Sequence, residues 1–462
     1  MTLPLALLLA YSAVLVALGL WIGRRARTGD FFVAGRTLGP GLLFASFLAA
    51  NIGASSTVGA TSLAYTEGLS AWWWNGSAGI GSLVLAFWVA PRMWREAMAH
   101  GDLTLGDFLE RRYGRAMRGL AGVLIWLGTL SILAAQLLGV AAVLSIVGGY
   151  SMLTGCLVGA LVTTAYFVAG GLLSSVWVNL VQVVVIVAGF MLATAAAVGS
   201  AGGWQAIAAQ AAPRMDFLAS TGPASGWRLL FLLGPAFIVS PGLLQRAYAA
   251  RDARAATRGI ALNGIALMVF AWAPAIIGMA AHQLAPDLAR ADLALPTLLS
   301  TALHPALGSL ALAAVFSAEV SSADAVLFML ATSASRDLYR GFVNPAATER
   351  QTLRVARGAA IVGAACGVGV ALAYGSVRAA VSVFYAILTV TLFVPVIGAL
   401  ISRRTGGNDG LVAVVTGVGT LLAAYVATGG RGYGVVSPAL AGVLASAAAF
   451  SIVHLLRWRT TR

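Results

Sequence analysis

Charge is scarce in this 462-residue chain: 10% of its residues carry one, against about 25% in an ordinary soluble domain. With 60% hydrophobic residues and a mean hydropathy of +0.90, a soluble fold is excluded. Cysteine is nearly absent. Cys156 and Cys366 each sit in an apolar run, which excludes a disulfide framework or thiolate metal cluster and leaves them as small packing residues. The four histidines, His100, His282, His304 and His454, are scattered. No metal-ligand cluster, nucleophile triad or phosphate loop can be assembled, so neither an enzyme nor an organic cofactor is expected.

What the chain has in quantity is apolar sequence. Runs near the 20 or so residues that span a bilayer are centred near Val14, Ala54, Leu83, Leu130, Ala160, Val187, Leu232, Phe270, Val320, Gly367, Thr389, Gly419 and Ser446. These imply an all-α integral membrane protein of about thirteen crossings. The net charge of +14 comes with no lysine at all. With the amino terminus outside, 24 of the 29 arginines fall in inner loops, from Arg24, Arg25, Arg27 and Arg36 through Arg336 and Arg340 to Arg403, Arg404 and Arg462. Only Arg214, Arg228, Arg290, Arg378 and Arg431 fall outside. The asymmetry fixes orientation in a cytoplasmic membrane, carboxyl terminus inside, and it favours anionic lipid over nucleic acid as the partner of the charge. The first run is not a secretory signal, because its basic cluster follows the apolar stretch instead of preceding it.

Two crossings are interrupted. The second holds Ala49-Ala50-Asn51-Ile52-Gly53-Ala54-Ser55-Ser56-Thr57, where glycine and locally bonding polar residues make a poor helix. The seventh holds Gly234-Pro235 and Ser240-Pro241-Gly242, which should break or kink it. Each begins a run of five crossings, and interruptions at matching places in two halves point to inverted repeats with a site between them. The repeats are expected over 40–200 and 227–404, with 1–39 and 405–462 peripheral. Asp102 or Thr104 should cap a short surface helix in the inner loop Gly101 to Gly114. Trp72-Trp73-Trp74 fits either an interfacial belt or a wall of the site.

The costliest stretch is Ala318-Glu319-Val320-Ser321-Ser322-Ala323-Asp324, set in apolar sequence from Leu307 to Thr332. A charge at bilayer depth costs about 2.5–3.5 kcal/mol even on the lenient insertion scale. A bound cation is the simplest compensation, which implies a cation-coupled carrier. Ala318, Ser321 and Ser322 share one helical face. From the residues alone, their hydroxyls could equally bond back to helical carbonyls.

Four stretches resemble the sodium:solute symporter family: Ala49 to Ile52, Gly101 to Gly114, Gly170-Gly171-Leu172 through Gln182, and Ala318 through Asp324 with Ser335 to Tyr339. Gln245-Arg246 is a weaker fifth. The resemblance implies a sodium ion as the coupling ion, held by carbonyls of Ala49, Ile52 and Ala318 and hydroxyls of Ser321 and Ser322. It also implies alternating access, with an inward sodium gradient driving uptake of a small solute. Family members with a second sodium site place aspartate where this chain has Asn179, so one coupled ion is expected, with Asn179 and Asp324 as a second ion path. Sugar carriers have polar groups where this chain has Ser240, Pro241 and Gly242, a lysine near Gly264 and a glutamate at Asn75.

Sugar is therefore disfavoured, and an amino acid or organic carboxylate is favoured by the helix amino terminus at Gly53 to Ser56. Side chains expected to touch the solute are Asn51, Ser55, Ser56, Trp73, Asn75 and Ser240. Glu319 departs from the family pattern. It is a countercharge for an amine, a proton acceptor, or a partner for a neighbouring helix. A proton-coupled carrier titrating Glu319 or Asp324 is the alternative reading.

The arginine asymmetry predicts a labelling pattern. In a cysteine-free background, Arg290→Cys is labelled in intact cells by a membrane-impermeant maleimide and Arg254→Cys only after permeabilisation. The reverse pattern would invert the topology.

Overall fold

The computed structural model describes residues 3–23, 36–219, 225–402 and 404–460, with the side chains of 166, 169–174 and some others left out. Arg24, Arg25, Arg27, Arg403 and Arg462, expected inside, lie outside the described residues, as do the side chains of Gly170, Gly171 and Leu172. Regular structure among the described residues is helical throughout.

The first helix, α1 (Leu3–Gly23), is uninterrupted. Pro40 opens α2 (Pro40–Asn51) at a position where its missing N–H costs nothing. Helical backbone then stops: Ile52 is extended, with φ −91° and ψ 94°. It resumes as a π-turn at Ser55–Gly59 that leads into α3 (Ala60–Glu67). The axis bends by 61° across this break. Gly68, at φ 82°, supplies the left-handed backbone that turns the chain into α4 (Trp72–Val84). A second π-turn joins α4 to α5 (Ala90–His100).

Thr104 caps α6 (Leu105–Tyr113) in a reciprocal box with Asp107, as the spacing of the loop suggested. Next come α7 (Arg115–Gly148) and α8 (Met152–Ser200). At 49 residues, α8 is about 74 Å long, the length of two crossings, and it contains both Ala160 and Val187. After short α9 (Trp204–Gln210), α10 (Gly226–Ile238) accommodates Pro235 internally. The chain breaks instead at Val239–Ser240, where Ser240 and Pro241 start α11 (Pro241–Tyr248). The remaining helices are α12 (Ala253–Phe270), α13 (Trp272–Leu284), α14 (Ala294–Thr301), α15 (Pro305–Thr332), α16 (Glu349–Tyr374), α17 (Val377–Ile401), α18 (Gly407–Thr428) and α19 (Pro438–Thr460). A π-helical tail, Ser333–Val343, extends α15.

Nine helices among the described residues are long and apolar enough to cross a membrane, or ten with the bent pair around Ile52. The sequence suggested thirteen runs, and twelve of their centres fall inside helices while Ala54 falls in the break. The difference lies in α1, in the shorter apolar piece Met152–Ala165, and in the continuous Ser55–His100 segment.

Burial separates core from periphery. The most apolar windows of α15 and α7 are 94% and 89% buried, against 33% for α18 and 28% for α19. A helix enclosed by protein on all sides is where polar side chains can be afforded in a membrane. The first helix packs on α8 and α15, and the Tyr11 hydroxyl meets Ser317 Oγ at 2.5 Å.

An ionic cluster ties the arginine-rich ends together. Arg118, at the start of α7, pairs with Asp107 at 3.0 Å, Glu110 at 2.5 Å and Asp337 at 3.5 Å. It also donates to the Arg336 carbonyl at 2.8 Å. Asp337, buried, accepts from the Thr104 hydroxyl at 2.7 Å. Asp102 pairs with Arg111 at 2.6 Å, and burial still pushes its carboxyl above the ordinary range. Arg118→Ala removes the cation paired with buried Asp337 and leaves only the weaker influence of Arg336, a loss of up to about 3–5 kcal/mol. The expected result is a clearly lower melting midpoint in detergent, with Arg118→Lys intermediate.

Candidate functional site

The break after Asn51 frees the last carbonyls of α2, which have no intrahelical N–H to accept from. The side chains that face them come from the enclosed helix α15. Ser321 Oγ lies 2.9 Å from the Ala49 carbonyl and 2.9 Å from the Ala318 carbonyl. Ser322 Oγ lies 3.1 Å from Ala49 O and 3.0 Å from Ala50 O. Ser321 Oγ thus lies between a carbonyl of its own helix and one across the break. Two hydroxyls carry two protons for four close carbonyl contacts. The result is a cluster of neutral oxygens with a deficit of positive charge, the donor set a small hard cation takes. Ile52 is buried beside it, its N–H bonded to Leu48 O and its extended backbone turning the carbonyl off the helix axis.

Other helices hold the break open. Gln136 of α7 accepts from the Ala54 N–H at 2.7 Å. Trp74 Nε1 donates to Ser55 Oγ at 3.1 Å, and Asn75 Nδ2 to the Ser56 carbonyl at 2.9 Å. Asn51 Nδ2 reaches Asn263 Oδ1 at 3.1 Å. Thr57 Oγ1 sits 2.9 Å from Gly53 O and 2.7 Å from Glu319 Oε1. Gly53 is required by contact: a Cβ there would lie 2.3 Å from Ser322 Cβ and Oγ.

A second polar group runs between α8 and α15. Asp324 accepts a short hydrogen bond from the Ser175 hydroxyl, and Asn179 Nδ2 reaches Ser175 Oγ at 3.4 Å. Gln182 Nε2 lies 3.4 Å from the Ser317 carbonyl. Asp324 Oδ1, Asn179 Oδ1 and Gln182 Oε1 are buried with no hydrogen-bond partner among the described residues. On the other side of α15, a cavity of about 60 Å³ is lined by Asn51, Ser55, Gln136, Ser240, Arg246 and Tyr385 among others.

The expected residues divide accordingly. Ala49, Ala318, Ser321 and Ser322 converge; Asn51, Ser55 and Ser240 line the cavity; Ser56 and Asn75 bond within the break and do not line it. Trp73 is elsewhere. Its indole donates to Phe217 O at 2.9 Å in an aromatic cluster with Trp72, and the neighbouring Trp74 faces the break. The N–H groups expected free after the break are mostly taken: Ala54 by Gln136, Ser56 and Thr57 by Gly53 O. Sequence reading missed Gln136, Thr57, Trp74, Asn263 and Tyr385. A lone polar residue in an apolar run, as Gln136 is, was the available signal.

Comparison with known proteins agrees with this architecture. The profile of the sodium:solute symporter family matches residues 31–417. The chain is 25% identical over 400 residues to the sodium/glucose cotransporter of Vibrio parahaemolyticus, covering 76% of this chain and 71% of that one. It is 26% identical over 389 residues to the sodium/pantothenate symporter of Escherichia coli, covering 77% and 76%. Among solved structures, a Na+-coupled sialic acid symporter in a substrate-bound outward-open state superposes with a TM-score of 0.85 at 18% identity, over 99% of this chain and 98% of that one. The nucleobase-cation-symport-1 family transporter Mhp1 superposes with 0.61 at 16% identity, over 93% and 94%. These two likenesses show a shared fold, a helical transporter core of inverted repeats. A profile match over most of the length makes the chain a membrane transporter of the sodium:solute symporter family.

Proposed function

We propose that this protein couples an inward sodium gradient to uptake of a small organic solute, an amino acid or organic carboxylate in preference to a sugar. The observation that carries the reading is the oxygen cluster at the break, with both serine hydroxyls within 3.1 Å of α2 carbonyls. Ala49, Ile52, Ala318, Ser321 and Ser322 are the proposed sodium ligands. Sodium would bridge α2 to α15, and so link the two repeats proposed over 40–200 and 227–404. Binding there would favour the outward-open state, with solute following.

The solute reading is supported by what lines the cavity. Arg246 is the charged side chain among its described lining residues, which favours an anionic group, while Phe237, Phe384 and Tyr385 make much of the wall apolar. This replaces the helix amino terminus as the argument for a carboxylate, because those N–H groups are largely taken. About 60 Å³ is room for only a few waters, so a solute would enter only as α2 and the α10–α11 break separate. Asn51, Ser55 and Ser240 are its proposed contacts. Asn75, where sugar carriers have a glutamate, is occupied in holding Ser56. One coupled ion is proposed, leaving along Asn179 and Asp324 toward the arginine-rich end of α15.

Sodium titrated against choline at fixed ionic strength should raise the melting midpoint of purified protein saturably, by mass action on the folded form. Ser321→Ala/Ser322→Ala should abolish that shift, and a shift retained in the double variant would remove this site from the mechanism. Gly53→Ala forces the two helices apart at the cluster, an overpacking loss of about 1–3 kcal/mol. It should lose the sodium response while remaining folded by size-exclusion chromatography.

A further inference from the structure

The two interrupted helices are fastened to each other at two levels. At the end away from the breaks, backbone bonds join the chain entering α2 to the chain leaving α11. The Leu38 N–H donates to the Ala249 carbonyl at 3.0 Å and the Arg251 N–H to the Leu38 carbonyl at 3.0 Å, a parallel bridge between Leu38 and Ala250. The Ala250 carbonyl in turn accepts from Trp94 Nε1 of α5 at 3.1 Å. Between that base and the breaks, α2 runs for 12 residues and α11 for 8, about 18 and 12 Å. Their other ends meet at one place: Ala50 and Asn51 of α2 line the cavity together with Ser240, Gly242 and Arg246.

The second fastening is Arg246. Its side chain is buried and reaches from α11 to α2, where Nε donates to the Ser46 hydroxyl at 3.1 Å. Its Nη1 lies 3.5 Å from the Gly242 carbonyl, in the first turn of its own helix. Ser46 is fully buried and stands one turn before Ala49. The last carbonyls of α2 thus meet the serines of α15, while the turn that carries them is held by a guanidinium from α11. Helix α12 fixes a third side, through Asn263 on Asn51 and through Gly259, where a Cβ would lie 2.8 Å from Leu43 Cβ. A backbone carbonyl moves only as its helix moves, and neutral oxygens hold a hard cation only when several converge. What holds α2 sideways therefore sets how Ala49 and Ile52 face α15. Of these contacts, Arg246 to Ser46 is charge-assisted, roughly twice as strong as a neutral hydrogen bond.

We propose that Arg246 is a positioning residue for the sodium site: through Ser46 it holds α2 where the Ala49 and Ile52 carbonyls face Ser321 and Ser322. The same guanidinium lines the solute cavity. A solute that engages it acts on the helix that carries the ion's carbonyls, which gives sodium and solute a physical route to each other. The Gln245-Arg246 pair acquires a role that its sequence did not disclose. The inference rests on the sodium reading above and adds a residue that sets sodium affinity from outside the ligand set.

Thermal stabilisation by sodium chloride, measured on the full-length protein in detergent, tests it. Ser46→Ala keeps every proposed ligand and the Arg246 charge but lowers the fraction of molecules with α2 in place. The sodium concentration for half-maximal stabilisation should therefore rise about three- to tenfold. Arg246→Lys, which keeps the charge without the Nε geometry, should raise it similarly, and Ser46→Thr, which keeps the hydroxyl, should leave it near its original value. The double variant Ser46→Ala/Arg246→Lys should be no worse than either single one, because both break the same bond. A purely structural role would lower the sodium-free midpoint and leave half-saturation where it was. That result, or additive rises in the double variant, overturns the positioning role and leaves the sodium site standing. In the unmutated protein, sodium should slow amide hydrogen exchange in α11 as well as at the α2 break. Protection confined to α2 and α15 also overturns the proposal, and this arm decides even if the variants fail to fold. No sodium response in the unmutated protein overturns both readings.

Discussion

The interior of this transporter depends on two adjacent hydroxyls, Ser321 and Ser322, that face the open carbonyl end of an interrupted helix. An interrupted helix in a bilayer leaves backbone groups with no water to bond, each costing about 1–3 kcal/mol when buried and unmet. The break after Asn51 persists because other helices take those groups one by one. Ser321 and Ser322 meet Ala49 and Ala50, Gln136 meets Ala54, and Asn75 meets Ser56. In the proposed function, the groups that stabilise the break are the groups the ion would engage. Ion occupancy and local structure at the break would then be one equilibrium.

That arrangement constrains the sequence around it. Two helices approach closely enough for hydroxyl-to-carbonyl contact only where a side chain is missing, and Gly53 is the place where any Cβ would collide with Ser322. Gly139 plays the same part against Glu319 and Ala54. At the other end of α15, the Arg118 cluster binds the α6 loop, α7 and the π-helical tail into one unit. Helix α15 is thus anchored by charge where arginines are plentiful and held by neutral oxygens where charge is expensive. Electrostatics follows depth in the membrane.

Much of this was legible in the chain. Helix positions follow from apolar run length, since the bilayer imposes a length no soluble domain shares. Both breaks could be read from glycine, proline and small polar residues, although Pro235 proved tolerable and Ser240-Pro241 decisive. The serine pair could be read because two acids and two hydroxyls in an apolar run demand compensation. The partners of the break were less visible. Gln136 lies 82 residues from Ala54, and no local pattern encodes so distant a contact. Trp73 was chosen over Trp74 because consecutive residues differ by about 100° of helical phase, which sequence alone does not anchor. The supposed free N–H groups failed for a related reason. A π-turn and a glutamine side chain satisfy them, and both depend on tertiary packing.

One pattern recurs around the break. Ser321, Ser322 and Thr57 each place a hydroxyl with a single proton between two acceptors. In water such a shortfall is met by solvent, which the core of a bilayer does not offer. At the serines the acceptors are neutral carbonyls, which suit a metal cation that can share its charge among several oxygens. At Thr57 one acceptor belongs to the Glu319 side chain, and the other, Gly53 O, already accepts the Ser56 and Thr57 N–H groups. The two arrangements share the backbone on either side of Ile52, so α15 holds the break both before it, at Ala49 and Ala50, and after it, at Thr57.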